Sequence, residues 1–176
     1  MVQPWQVTSL VQHGHCSYCG TGYGPDVGWP RTCPGCGETT WRNPLPVAVL
    51  LVPVGFDDGG PDGMVVVRRD IEPGRGELCL PGGFIEFGES WQAAAVRELR
   101  EEAGGLDGVP DDVILFDVVS TPRHVMVFGI VPPRPAAMLP PSTPTNESTE
   151  WLVVRKHVPL VFPSHDTALR RYFASA

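Results

Sequence analysis

Three glutamates, Glu98, Glu101 and Glu102, stand close together in a stretch that favours helix. At about 100° per residue, Glu102 lies about 40° from Glu98 around the helix axis, and Glu101 about 60° to the other side. The three acids therefore share one face, where like charges repel by a few tenths of a kcal/mol per pair. Such a run is ordinarily a solvated face. A helix that holds a divalent cation gains from it, because magnesium prefers carboxylate oxygens. Arg97 and Arg100 flank the acids, and Arg97 can steady Glu98 or Glu89 or reach a phosphate oxygen. In front of the helix stands Pro81-Gly82-Gly83, then Phe84 to Gly88 and Glu89. The two glycines permit close backbone approach, so that a carbonyl there can face the same cation. The helix start itself favours an anion. Loop, helix start and acids converge on one place suited to metal-assisted chemistry on an anionic group.

A second constellation lies upstream. Cys16 and Cys19 form one C-x2-C pair and Cys33 and Cys36 another. Two such pairs can close a tetrahedron of thiolates around zinc, leaving no open position, so the site is structural rather than catalytic. Gly20 and Gly37 follow the pairs and suit the tight backbone required. A segment with so little apolar content takes its folding energy from the metal. His13 and His15 lie nearby; either could replace one cysteine, but they read as exposed loop residues, and Cys79 as a small apolar residue.

The elements that must position these groups follow from pattern. Residues 46–54 (PVAVLLVPV) and 64–69 (MVVVRR) read as the strands of a hairpin, with the turn at 55–63. Residues 78–80 suggest a short strand. Residues 89–103 form the clearest helix, with Trp91, Ala94, Ala95 and Leu99 as an apolar stripe and Gly104-Gly105 as its stop. Residues 113–119 and 125–131 read as strands, 132–149 as a Pro-, Ser- and Thr-rich loop, 150–155 as a strand and 165–173 as a last helix. The boundaries expected are 1–42 for the cysteine module and 43–176 for the main domain.

The 176 residues carry a formal net charge of −7 with a pI of about 5.1. That field disfavours broad binding to nucleic acid, and an anionic substrate needs a cation or local arginines to reverse the sign of its site. No apolar run reaches the ~20 residues of a membrane helix, and residues 1–10 show no basic start followed by an apolar stretch. The expectation is a cytoplasmic location, where cysteines serve as metal ligands or free thiols rather than disulfides.

Gly83, Glu89, Arg97, Glu98, Leu99, Glu101, Glu102 and Gly104 together read G-x5-E-x7-R-E-L-x-E-E-x-G. This resembles the signature of the Nudix hydrolases. One position departs: Gly105 stands where the family has a bulky apolar residue, and Leu106 follows one step later. The resemblance implies an α/β/α sandwich with a mixed sheet, an α+β fold, and the cysteine module is similar to the zinc ribbon that some members carry. It implies hydrolysis of the pyrophosphate bond in a nucleoside diphosphate linked to another moiety, ADP-ribose-like or a dinucleotide, with Mg²⁺ or Mn²⁺ held by Gly82, Glu98, Glu101 and Glu102. A later loop glutamate serves as base or extra metal ligand, with Glu147 preferred over Glu150. Arg68, Arg69 and Arg75 stand near the motif in sequence, and Arg68 and Arg75 join Gly83 and Phe84 as expected substrate contacts. Trp41 is a further candidate for stacking on a base, whereas Trp91 belongs to the apolar stripe. Relatives that cleave NADH carry Ser-Gln-Pro-Trp-Pro-Phe-Pro after the motif; that array is absent here, and NADH is not the favoured substrate. The competing expectation is a ligand sensor, or a nucleic-acid- or protein-binding module using the ribbon. Family resemblance also suggests a homodimer.

Overall fold

In the cysteine-rich segment, two short strands, β1 (Arg31–Thr32) and β2 (Thr39–Thr40), pair antiparallel across the second cysteine pair. These coordinates are a computed structural model, which describes residues 12–24, 28–58, 60 and 62–175. The reading of residues 1–10, and part of the turn at 55–63, fall outside that set. Contacts divide the chain into two units, Met1–Asn43 and Pro44–Ala176.

The second unit begins with the apolar run that reads as one strand. It is two: β3 (Leu45–Leu51) and β4 (Pro53–Gly55). They belong to different sheets, which corrects the simple hairpin expected from the sequence. Only β4 pairs antiparallel with β5 (Gly63–Arg69), whereas β3 runs parallel to β9 (His124–Ile130). The break falls at Val52-Pro53, where proline has no N–H to continue the ladder. β6 (Leu78–Cys79) pairs with β5. β7 (Gly82–Phe84), read from sequence as a loop, pairs antiparallel with β3.

Helix α1 (Trp91–Glu102) starts two residues later than its pattern suggests, because Ser90 caps it and accepts the Ala93 N–H at 3.2 Å. β8 (Ile114–Ser120) lies beside β9, β10 (Arg134–Pro135) beside β4, and β11 (Ser148–Val154) beside β5. Helix α2 spans Pro163–Ser175. One sheet thus has the order β7-β3-β9-β8, and the other β10-β4-β5-β11 with β6 on β5. Each mixes parallel and antiparallel pairs, so the mixed pairing expected is spread over two sheets.

Strand alternation builds a core on either side of these sheets. Ala48, Leu50, Val65 and Val67 pack with Ala94, Ala95 and Leu99 of α1, and partly buried Trp91 joins them. Val49, Leu51, Met64 and Val66 pack with Ala168 and Leu169 of α2. The loop at 132–149 is not structureless. It holds β10, a 3-10 turn at Ala136–Met138 and a bridge from Thr143 to Gly104. Trp151 fastens it further: its backbone N–H donates to Ser142 Oγ at 2.8 Å, and its indole N–H to the Gly104 carbonyl at 3.0 Å.

Candidate active site

Helix α1 carries Glu98 and Glu102 inward, 7% and 4% exposed, against strand β7. The fit there is close. Gly82 N–H donates to Glu102 Oε2 at 2.8 Å. A Cβ at Gly83 would fall on the Glu98 carboxylate and displace it, and one at Gly82 would meet the Ala48 and Val49 backbone. The helix exit explains the departure from the signature. Gly105 takes a φ of 87°, and the bulky residue one step later, Leu106, is the one buried.

Glu147 arrives from the far end of the fold. Thr145 Oγ1 accepts the backbone N–H groups of Glu147 and Ser148 at 3.2 and 3.1 Å, shaping a tight turn. Buried Ser148 then donates to the Glu102 carbonyl, tying the start of β11 to the end of α1. Glu147 and the three helix acids line one cavity of about 650 Å³. Glu150 lies elsewhere: it pairs with Arg68 across the β5–β11 ladder at 2.7 Å.

Arg97 brackets the acids. It reaches Glu98 at 2.7 Å, Glu101 at 3.0 Å, Glu89 at 2.8 Å and the Phe84 carbonyl at 2.9 Å. Its charge is committed to protein partners, so it orders carboxylates rather than reaching a phosphate. Among the described residues Glu102 forms no such ion pair, and the nearby Arg69 charge offsets its rise only in part. Burial pushes its carboxyl up to about 8, and the charges of Glu98 and Glu147 add to that. Burial likewise raises Glu98, against the pull of Arg97. Two acids that resist ionisation among further acids form an electrostatically incomplete site, which a bound cation would complete.

The arginine positions need correction. Arg68 and Arg69 are neighbours on β5, so their side chains leave opposite faces. Arg68 turns to Glu150 and the Gly76 carbonyl, and Arg75 pairs with Asp70 at 3.1 Å; neither lines the cavity. Arg69 does. It is 7% exposed, donates to the Pro73 carbonyl at 2.8 Å and lies 5.1 Å from the Phe162 ring centroid. Among the described residues no carboxylate forms an ion pair with it. A buried, unpaired guanidinium costs several kcal/mol unless an anion joins it.

Beside it, His165 is buried, and its Nδ1 lacks a hydrogen-bond partner among the described residues. Burial, then the Arg69 charge, lowers its pKa to about 3, so the ring is neutral. Sequence pattern marks His165 only as part of a helix; no local signal announces a wall of the site. The opposite rim is Phe84, half exposed, with His124 at a ring separation of 6.0 Å. Trp41 belongs to the other unit and is exposed.

In that unit the four cysteine sulfurs lie within 4.8 Å of one another, with Cys16–Cys36 at 3.8 Å and Cys19–Cys33 at 3.6 Å. Zinc bonded at ~2.3 Å to four sulfurs separates them by about 3.8 Å, so the cluster has the size of a zinc site. Tyr18 and Gly35 N–H groups point at the Cys16 and Cys33 sulfurs. The Cys19 backbone, countered in part by burial, takes the Cys16 thiol down to about 6.

Among the described residues no helix is long and apolar enough to cross a membrane. The NAD-capped RNA hydrolase NudC of Deinococcus radiodurans is 32% identical over 93 residues, 52% of this chain and 32% of that protein. The ADP-ribose pyrophosphatase of Methanocaldococcus jannaschii is 39% identical over 59 residues, 34% of this chain and 33% of that protein. The matched stretch thus spans about a third of these relatives. The crystal structure of a NUDIX hydrolase from Nitrosomonas europaea covers 92% of this chain and 90% of its own, with a TM-score of 0.66 at 24% identity. The NUDIX domain of Shewanella oneidensis NrtR, complexed with ADP ribose, covers 77% and 90%, with a TM-score of 0.60 at 18% identity. Both likenesses concern the fold. The model of the NUDIX domain matches residues 44–172, which hold both mixed sheets, the acidic helix and the cavity it lines, and the chain belongs to the NUDIX family.

Proposed function

We propose that this chain hydrolyses the phosphoanhydride bond of a nucleoside diphosphate linked to a second group. The observation that carries the reading is the meeting of Glu98, Glu101, Glu102 and Glu147 on one cavity wall, two of them buried with raised pKa values. Their oxygens suit Mg²⁺ or Mn²⁺, held by Glu98 and Glu102, with Glu101 and the Gly82 carbonyl as further candidates. Such an ion neutralises phosphoryl oxygens and acidifies water. Glu147, exposed at the cavity and hydrogen-bonded through its backbone to Asp70 and Thr145, is the candidate base that accepts the proton of the attacking water. Water adds to one phosphorus, the bridging P–O bond breaks, and two phosphate monoesters leave. Arg97 orders Glu98 and Glu101, and Arg69 takes the charge of the phosphate further from the acids. Relatives named for ADP-ribose and NAD-capped RNA support a substrate of this kind.

The test is product identification with Mg²⁺ across ADP-ribose, nucleotide sugars and dinucleotides. Release of paired monophosphates supports the reading. Tight binding of one compound without cleavage of any favours a ligand sensor instead. Arg69→Met should raise the KM for the cleaved substrate about 10-fold, the value of one charge-assisted hydrogen bond, while kcat changes little. Arg68→Met, at a half-exposed position outside the cavity, should change KM by less than about two-fold.

The four cysteines are proposed as a structural zinc site that sustains the small N-terminal unit. Metal analysis should find about one zinc per chain, and none once all four are changed to Ser. Zinc retained by that variant would place the metal elsewhere.

A further inference from the structure

His165 is a buried polar side chain that the hydrolysis reading leaves unused. It stands in the first turn of α2 and is 4% exposed. The Phe128 and Phe162 rings pack against it, with centroid separations of 5.7 and 5.0 Å. Phenylalanine would complete that aromatic cluster and strand no polar atom. Histidine strands one: Nδ1 has no partner among the described residues. A neutral imidazole carries one N–H and one lone pair. The Leu80 carbonyl takes the N–H, which leaves Nδ1, the orphaned atom, as an acceptor. A buried acceptor without a partner destabilises a fold, so a histidine at this place points to a partner that arrives from outside.

His165 lines the cavity of the acid cluster, together with Arg69, Ile71, Pro73 and Phe162. Arg69 is its cationic neighbour there, and both pack on the Phe162 ring. Arg69 offers only donors and attracts an anion. His165, held neutral by burial and by that cation, does the opposite. Its lone pair repels a second acceptor and takes an O–H or N–H. The walls formed by Ile71, Pro73 and Phe162 are apolar and suit a nucleoside better than a free phosphate. We infer that His165 is a specificity-determining residue, whose Nδ1 accepts a hydrogen bond from the substrate's nucleoside beside the phosphate held by Arg69. Two groups of a nucleoside supply such a donor, an exocyclic base amine and a ribose hydroxyl. This rests on the hydrolysis reading above. His165 acts in binding and takes no part in proton transfer.

Steady-state kinetics with Mg²⁺ test it on the full chain with three compounds. These are ADP-ribose, its inosine counterpart, in which a carbonyl oxygen replaces the amine, and its dideoxyadenosine counterpart, which lacks both nucleoside hydroxyls. One of the two counterparts should show a KM about 10-fold above that of ADP-ribose, the value of one hydrogen bond, with kcat little changed. A rise with the inosine compound marks the base amine as the donor, and a rise with the dideoxy compound marks the ribose. His165→Gln keeps an N–H for Leu80 and removes the acceptor. It should raise the KM of ADP-ribose about 10-fold and leave that counterpart unaffected. His165→Asn, whose amide oxygen takes the place of Nδ1, should keep the wild-type preference. Equal KM for all three compounds on the wild type, or one uniform loss across them in His165→Gln, would overturn the assignment and leave Nδ1 to a buried water. If none is cleaved, the hydrolysis reading fails, and calorimetric affinities for the same three compounds decide His165 by the same pattern.

Discussion

Glu98→Gln should lower kcat by about 10³-fold, on the scale of losing one preorganised charged group at a reacting centre. The residue is 7% exposed, its side chain is isosteric with glutamine, and it accepts from Arg97 through Oε1. Glutamine keeps that bond and the shape, and removes only the charge. KM should change little, because the lost interaction is with charge that develops at the phosphorus. Glu101→Gln, at a half-exposed carboxylate already paired with Arg97, should lose far less. Steady-state kinetics with Mg²⁺, beside near-ultraviolet circular dichroism to confirm packing, make the comparison. A Glu98→Gln protein that retains kcat to within about three-fold would remove the acid cluster from the chemistry.

Glu102 should make the metal-free protein lose stability as pH rises. Burial holds its carboxyl near 8, above the ordinary 4.5. A group raised on folding contributes its full stability below its unfolded pKa and loses that contribution as pH rises through its folded pKa. In chelator, the loss between about pH 5 and pH 9 should be on the order of 3 kcal/mol. Glu102→Gln removes the titration and flattens the curve. Mg²⁺ should restore the wild type at pH 8, by about 2.7 kcal/mol at a hundred times its Kd, and leave the variant unmoved. Urea unfolding with and without chelator reads both effects. Parallel pH curves for the two proteins would show that Glu102 is not the buried acid that titrates.

Glu98, Glu101 and Glu102 were legible because helical spacing alone puts them on one face. The four cysteines were legible because paired spacing marks a metal cluster. Glu147 was reachable only as one of two loop acids; the choice rests on Ser148, which ties the start of β11 to the end of α1. Arg69 shows what spacing near a motif does not resolve. It and Arg68 are adjacent in sequence, and strand alternation sends one into the cavity and the other to Glu150. His165 carried no signal at all, since a helix start says nothing about which strand lies behind it. The strand break at Val52-Pro53 was hidden for a similar reason: an apolar run reads alike whether it stays in one sheet or passes to another.

What the sequence determined by itself was local: the acid-bearing helix, its glycine approach and the cysteine pairs, all set by backbone periodicity over short spans. What only the tertiary structure decided was which distant residues join them, because β5 and β11 bring Arg69 and Glu147 to the helix through a ladder whose partners lie far apart in the chain. Pairing and burial depend on contacts that no short window contains. The same long-range closure desolvates Glu102 and raises its carboxyl.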